Sequence, residues 1–197
     1  MKQIKYLLLA ATAITWISAN ADTQNKYTLS KSYTVTINGT SNLHDWDETV
    51  GSVSGDGIVT WNGDGSFDLE AVNIKMEVRS IKSNEGSAMN NNTYKALKAD
   101  NNPEIIFALG TQLKSIPASA TGHSISAKVN LTIAGVTKAV DMTVTATGQA
   151  HGNISFEGTK TIKMTDFGIT PPVALFGTLK TGDEITKHFK TVFVASN

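Results

Sequence analysis

The run Ser124-Ile125-Ser126-Ala127-Lys128-Val129-Asn130-Leu131-Thr132-Ile133 alternates without a break. Ile125, Ala127, Val129, Leu131 and Ile133 fall on one face. Ser124, Ser126, Lys128, Asn130 and Thr132 fall on the other, the period-two signature of a strand with one dry and one wet side. Ala134-Gly135 follows as a tight turn. Val140, Met142, Val144 and Ala146 then alternate with Asp141, Thr143, Thr145 and Thr147, so the two halves read as a β-hairpin.

The same rhythm recurs on both sides of this hairpin. Tyr33, Val35 and Ile37 share a face in a first strand; Val53, Val59 and Trp61 share one in a second, with Gly55 and Gly57 among them. Glycines at inward positions fit a sharp bend or a close approach of another group. Asn62-Gly63-Asp64-Gly65 is a hairpin turn. After it, Phe67, Leu69 and Ala71 give way to Val72, Ile74, Met76 and Val78, a change of phase that predicts a bulge near Ala71. Ile105, Phe107 and Leu109 mark another strand, Ile154, Phe156 and Ile162 the next, and Ile185, Phe189 and Phe193 the last. One polar segment, Ser83 to Asp100, breaks the pattern. Ser87 is placed to cap a short helix running to about Lys98, and Pro103 to fix the entry to the next strand. The fold class is therefore all-β: about eight antiparallel strands in a barrel or sandwich, with one short helix near one end. A barrel of that size is either packed solid or holds one small ligand. Gly and Ala among the inward residues favour space inside.

Composition sets the class of function. The 197 residues carry 17 Lys and Arg against 17 Asp and Glu, and no cysteine. Nucleic acid demands a basic face, which this balance lacks. Disulfides, thiol catalysis and Cys-ligated zinc are excluded outright. Lys2 and Lys5, the mostly apolar run Tyr6 to Ile17, and Ala19-Asn20-Ala21 form a secretory signal with cleavage expected after Ala21. That leaves residues 22–197 as one domain, exported to a periplasm or secreted. The apolar run is short of the roughly 20 residues of a membrane span, so no stable membrane anchor is expected.

Three landmarks stand in order along the chain. The first is Gly39-Thr40-Ser41-Asn42-Leu43-His44-Asp45-Trp46. The second is Val78-Arg79-Ser80-Ile81-Lys82, followed through the helical segment by Asn102-Pro103-Glu104-Ile105-Ile106-Phe107. The third is Leu131-Thr132-Ile133-Ala134-Gly135-Val136-Thr137-Lys138, with Asp166-Phe167-Gly168-Ile169-Thr170-Pro171-Pro172 behind it. Together they resemble the YceI-like family over nearly the whole chain after the leader. Many members carry Arg-Asp-His-Leu in the helical segment, where this chain has Ser87-Ala88-Met89-Asn90-Asn91-Asn92. The resemblance implies a lipocalin-like, eight-stranded antiparallel barrel. It further implies a long apolar ligand inside, a polyisoprenoid or isoprenoid quinone, held for transport or storage. No cofactor is implied beyond such a hydrophobic small molecule.

The wall residues expected to touch it are Ile74, Met76, Met89, Phe107, Val129, Leu131, Met142, Val144, Phe156 and Phe167. Thioethers such as Met76, Met89 and Met142 suit irregular apolar shapes. The alternative is a ligand-free structural or stress-associated barrel acting through its surface, and a homodimer through a strand edge or an apolar rim stays open.

Other residues invite chemistry and do not sustain it. Asp166-Phe167-Gly168 spells the metal triplet of protein kinases, but no glycine loop, strand lysine or HRD motif accompanies it. Gly168 and the two prolines read instead as the end of a strand and the start of a rim loop. Adjacent His44 and Asp45 would point to opposite faces of a strand, and no nucleophile elbow joins them. The expectation is that His44 and Trp46 close a barrel end while Asp45 caps a turn. His44, His123, His151 and His188 show no short ligand-like spacing. Lys180, Lys187 and Lys190 are expected on solvated faces.

Overall fold

Alternating sequence becomes alternating structure through most of the chain. The computed structural model describes residues 23–148 and 151–196, so the expected leader and its cleavage site lie outside the described residues. The strands are β1 (Thr23–Leu29), β2 (Thr34–Ser41), β3 (Trp46–Val50), β4 (Val53–Trp61), β5 (Phe67–Glu77) and β6 (Ile81–Ser83), then helix α1 (Ser87–Ala96). They continue as β7 (Glu104–Leu109), β8 (Leu113–Ile116), β9 (His123–Ile133), β10 (Val136–Gly148), β11 (Ile154–Lys163), β12 (Val173–Ala174) and β13 (Leu179–Ala195).

Eight of them close a ring in the order β1-β4-β5-β7-β9-β10-β11-β13, and β13 pairs back onto β1. All these pairings are antiparallel. The expected eight-stranded barrel with one short helix is therefore the fold. Strands β1 and β2 follow one another along the same edge of β13, which meets β1 through Phe193 to Ala195 and β2 through Thr181 to Lys190. Ser30 bridges the two by donating its N–H to the Val192 carbonyl at 2.8 Å. Strands β3 and β6 extend the wall beyond β2.

The hairpin of β9 and β10 holds the register expected of it, from Val136 opposite Ile133 to Ala146 opposite His123. Its turn places both Ala134 and Gly135 at positive φ, 48° and 84°. The bulge in β5 is also real: Ile58 pairs Ala71 and the adjacent Val59 pairs Leu69, which leaves Glu70 as the extra residue. Five strands have no counterpart in the sequence reading: β1, β3 and the short β6, β8 and β12. In β1 only Tyr27 and Leu29 are large and apolar, and in β3 the inward position between Trp46 and Val50 is taken by a glutamate.

Helix α1 begins at its expected cap, one residue earlier than that cap implies. Gly86, at φ 97°, is the N-cap, and Ser87 is the first helical residue with no side-chain cap bond. The helix ends at Ala96 rather than near Lys98, which turns the chain at φ 53°. Tyr94 anchors it: its hydroxyl lies 3.0 Å from the Arg79 carbonyl and 2.9 Å from that of Ile81, and Lys82 donates to it at 2.6 Å. Pro103 accepts the Val78 N–H at 2.8 Å, which ties the entry of β7 to the end of β5. The run at Asp166 also differs in detail from a simple loop. Met164–Phe167 forms a turn of 3-10 helix, closed by Gly168 in the left-handed region at φ 65°, and Phe167 and Ile169 both turn inward to burial.

On β9 the wet face looks outward: Ser124, Ser126, Lys128 and Asn130 are exposed, while Ala127, Val129, Leu131 and Ile133 are buried. A barrel that spans lipid carries the opposite arrangement, apolar outside and polar within. Among the described residues, no helix is long and apolar enough to cross a membrane.

Candidate binding lumen

The barrel axis can be followed from a closed end to an open one. Tyr27, Trp61, Phe67 and Ile154, each no more than 3% exposed, plug the first end. Trp61 donates its indole N–H to the Tyr27 hydroxyl at 3.0 Å, and Tyr27 donates onward to the Gly152 carbonyl at 3.1 Å. With the polar tips paired to each other, the rings seal the end without an unsatisfied group.

Beyond the plug lies a first cavity of about 950 Å³ of unoccupied space, its opening included. Leu69, Val72, Ile74 and Met76 of β5 wall it on one side, Phe107 and Leu109 of β7 continue the wall, and Leu131, Met142, Val144 and Phe156 complete much of the circuit. The strand period puts every second side chain inside, so the residues that make the barrel fold also make its lining. Small residues keep the space open. A Cβ on Gly158 would stand 2.8 Å from Cζ of Phe189, so the glycine gives that ring its place in the wall.

A second cavity, about 900 Å³ of unoccupied space with its open mouth included, continues toward the helix. Ile37 and Trp46 line it from the barrel, Met89, Thr93 and Leu97 roof it from α1, and Met164, Phe167 and Ile169 close another side. Val173 belongs to this lining and is 61% exposed, which locates the mouth. Leu43 and Phe176, in neighbouring rim segments linked by Asn42 donating to the Thr178 carbonyl, are exposed as well. One carboxyl faces the chamber. Glu48 is 2% exposed and accepts a hydrogen bond from the Thr93 hydroxyl at 2.6 Å. Burial raises its pKa above 4.5, the Thr93 bond opposes that rise, and the nearby negative charges of Glu85 and Asp47 add to it. The neutral acid is the form this site favours.

The two cavities share Ile162 and Lys187 in their walls. Lys187 was expected on a solvated face, and the structure overturns this. It sits in β13 between Ile185 and Phe189 with the same parity, so its side chain enters the barrel. The surface left to it faces the cavities, and burial lowers its pKa to about 8. Lys160 of β11 stands directly opposite in the ladder and also lines the first cavity. Its ammonium donates to the Asp141 carbonyl at 2.8 Å. Among the described residues, Lys187 has neither an ion pair nor a side-chain hydrogen bond. Parity alone could have found both lysines, since each interrupts an otherwise apolar inward series.

Of the expected wall residues, Ile74, Met76, Phe107, Leu131, Met142, Val144 and Phe156 line the first cavity, and Met89 and Phe167 the second. Val129 is on the same face and 1% exposed, but is packed away from both cavities. Trp46 does close over the second chamber. His44 does not share that role: its side chain is 47% exposed, its Nδ1 lies 2.8 Å from the Asp45 carbonyl and 3.6 Å from Glu85. The turn is held by Ser41 instead of Asp45. The Ser41 hydroxyl accepts from the N–H groups of Leu43 and His44 and donates to the His44 carbonyl. His188 meets Thr159 at 2.9 Å and His151 packs beside Trp61, far apart in the ladder. No group of three His, Cys, Asp or Glu gathers among the described residues.

A family model described as YceI-like domain matches residues 19–193. A polyisoprenoid-binding domain from Saccharophagus degradans has the same fold at a TM-score of 0.69 and 12% identity, over 86% of this chain and 98% of that one. BcnA of Burkholderia cenocepacia aligns at a TM-score of 0.56 and 20% identity, covering 81% of this chain and 95% of its own. The YCEI protein of Campylobacter jejuni does so at 0.56 and 18% identity, over 76% and 84%. No curated protein matches the chain in sequence.

Proposed function

We propose a containment function for this chain, which belongs to the YceI-like family: it holds a long apolar molecule of isoprenoid type in its lumen, and does so without covalent chemistry. The observation that carries this reading is the first cavity. An open space runs along a wall made almost wholly of aliphatic, aromatic and thioether side chains. Small-molecule sites are concave and mostly apolar with a few placed polar groups, and this lining is of that kind. An isoprenoid chain in water exposes apolar surface at roughly 25 cal/mol per Å², and burial against these walls recovers it. The S. degradans neighbour, described as a polyisoprenoid-binding domain, supports the same class of cargo.

The mouth at Val173, with α1 across it, supplies an entry that the aromatic plug denies at the other end. Export fits the sequence of residues 1–21, and a carrier or store in an aqueous compartment follows from burial of the cargo. Fluorescence titration tests the function. The apolar dye N-phenyl-1-naphthylamine should brighten on mixing with the protein and be displaced by geranylgeraniol at one equivalent. A dye that stays dark, with geranylgeraniol causing no change, contradicts containment.

A further inference from the structure

The lumen of a purely hydrophobic carrier has no use for a cation, yet this one holds two. Lys160 and Lys187 oppose each other in the β11–β13 ladder and both project into the first cavity. Like charges directly opposite on one face repel, and an ammonium taken out of water without a partner is costly to the fold. Lys160 has its backbone acceptor at Asp141, whereas Lys187 has none among the described residues. Among the described residues, the only carboxyl in the lining of either cavity is Glu48, which is engaged by Thr93 and makes no ion pair with Lys187. Among the described residues, the remaining elements around Lys187 present no charge: its ladder partner on β2 is Ile37, and α1 contributes Met89, Asn92, Thr93, Ala96 and Leu97. The middle of an apolar tube is thus positive and unneutralised.

We propose that the lumen takes a single-chain amphiphile with an anionic head group, a carboxylate or a phosphate monoester, gripped by Lys187 with Lys160 beside it. The tail lies in the apolar first cavity. This rests on the containment reading above and adds the chemistry of the cargo's head. An anion at this point turns an unpaired ammonium into a charge-assisted hydrogen-bonded pair and relieves the repulsion between the lysines. A neutral isoprenol or quinone oxygen could accept a hydrogen bond but would leave both charges uncompensated.

The experiment compares dodecanoate, dodecyl phosphate and dodecan-1-ol as competitors of N-phenyl-1-naphthylamine in the wild-type protein and in Lys187→Met, Lys187→Arg and Lys160→Met. At pH 7 an anionic competitor should bind at least about tenfold more tightly than the alcohol, a gap of roughly 1.4 kcal/mol. Lys187→Met should bring anion and alcohol together while still binding the alcohol, and Lys187→Arg should keep the gap. The gap should also narrow above pH 8, where Lys187 gives up its proton. Dodecyl phosphate exceeding dodecanoate, with the excess lost in Lys160→Met, assigns a phosphate gripped by both lysines; the reverse order assigns a carboxylate. Equal binding of anions and alcohol by the wild type overturns the proposal, as does a gap that survives Lys187→Met. Failure of the dye and of every competitor to bind is a different result and removes the containment reading itself.

Discussion

The indole of Trp46 lies over Gly39, its cross-strand neighbour in the β2–β3 ladder, so closely that a Cβ on the glycine would stand 2.2 Å from Cζ2. The indole N–H donates to the Thr40 carbonyl at 3.1 Å, which fixes the ring across the second chamber. The spacing of Gly39 and Trp46 in sequence is therefore a packing requirement. One residue supplies the ring that walls the chamber and the other supplies the absence that admits it.

Gly39→Ala should destabilise the barrel by about 1–3 kcal/mol, the usual cost of overpacking. Urea unfolding of Gly39→Ala, Trp46→Ala and the double variant forms a cycle. In the Trp46→Ala background the alanine should cost almost nothing, because its obstacle is gone. An equal cost in both backgrounds would show that the ring and the glycine do not meet.

Lys187 makes stability depend on alkaline pH. Burial lowers its pKa from 10.5 to about 8, a difference worth roughly 3 kcal/mol between its protonation states. Below pH 8 the folded protein carries the whole cost of the buried charge. Between 8 and 10.5 the unfolded chain binds the proton that the folded one has released, so stability rises with pH. Lys187→Met should abolish that rise and be the more stable protein at pH 7, by up to ~3 kcal/mol. Unfolding curves between pH 7 and 10.5 decide it, and a wild type that weakens steadily over this range contradicts it.

Glu48 acts in the opposite direction at acid pH. Its folded pKa is raised, first by burial, so its contribution is fully present below 4.5 and is lost as pH climbs through the folded value. Glu48→Gln keeps an oxygen for Thr93 and removes the charge, so its melting temperature should exceed the wild type's at pH 7 and match it near pH 4. Thr93→Val, which leaves the carboxyl without its donor, should lower stability by about 1–3 kcal/mol. Parallel melting curves for Glu48→Gln and wild type across that range would count against a buried acid.

Cavity wall and solid core should answer the same change differently. Ala127 lines the first cavity, whereas Val129, two residues along β9, is buried away from it. Ala127→Phe should project a ring into free space, leave the fold cooperative, and cut dye binding by about tenfold or more. Val129→Phe has no space to enter and should cost about 1–3 kcal/mol of stability. Dye binding unchanged in a folded Ala127→Phe protein would place the dye outside the first cavity.

Much of this architecture was written in period two. The β9–β10 hairpin, the bulge at Glu70 and most of the lining follow from which residues share a parity. What escaped did so for physical reasons. Strand β1 is stabilised by its ladders on β4 and β13 rather than by apolar content of its own. Strand β3 hides its period behind Glu48, whose partner Thr93 is 45 residues away and unreadable locally. Lys160 and Lys187 sit at inward parity, but the chemistry of a lysine argues for a solvated face, which is the expectation for Lys187. Parity was the better guide because closure of the barrel fixes which way every second side chain must face.

The central claim is that the lumen holds a long amphiphile, and native mass spectrometry of the protein purified without detergent tests it most directly. A one-to-one complex should appear beside the free chain, releasing on collisional activation a single lipid of defined mass, ionised in negative mode if its head is anionic. A spectrum containing only the mass of the bare chain, unchanged after incubation with dodecanoate and with geranylgeraniol, would contradict the account.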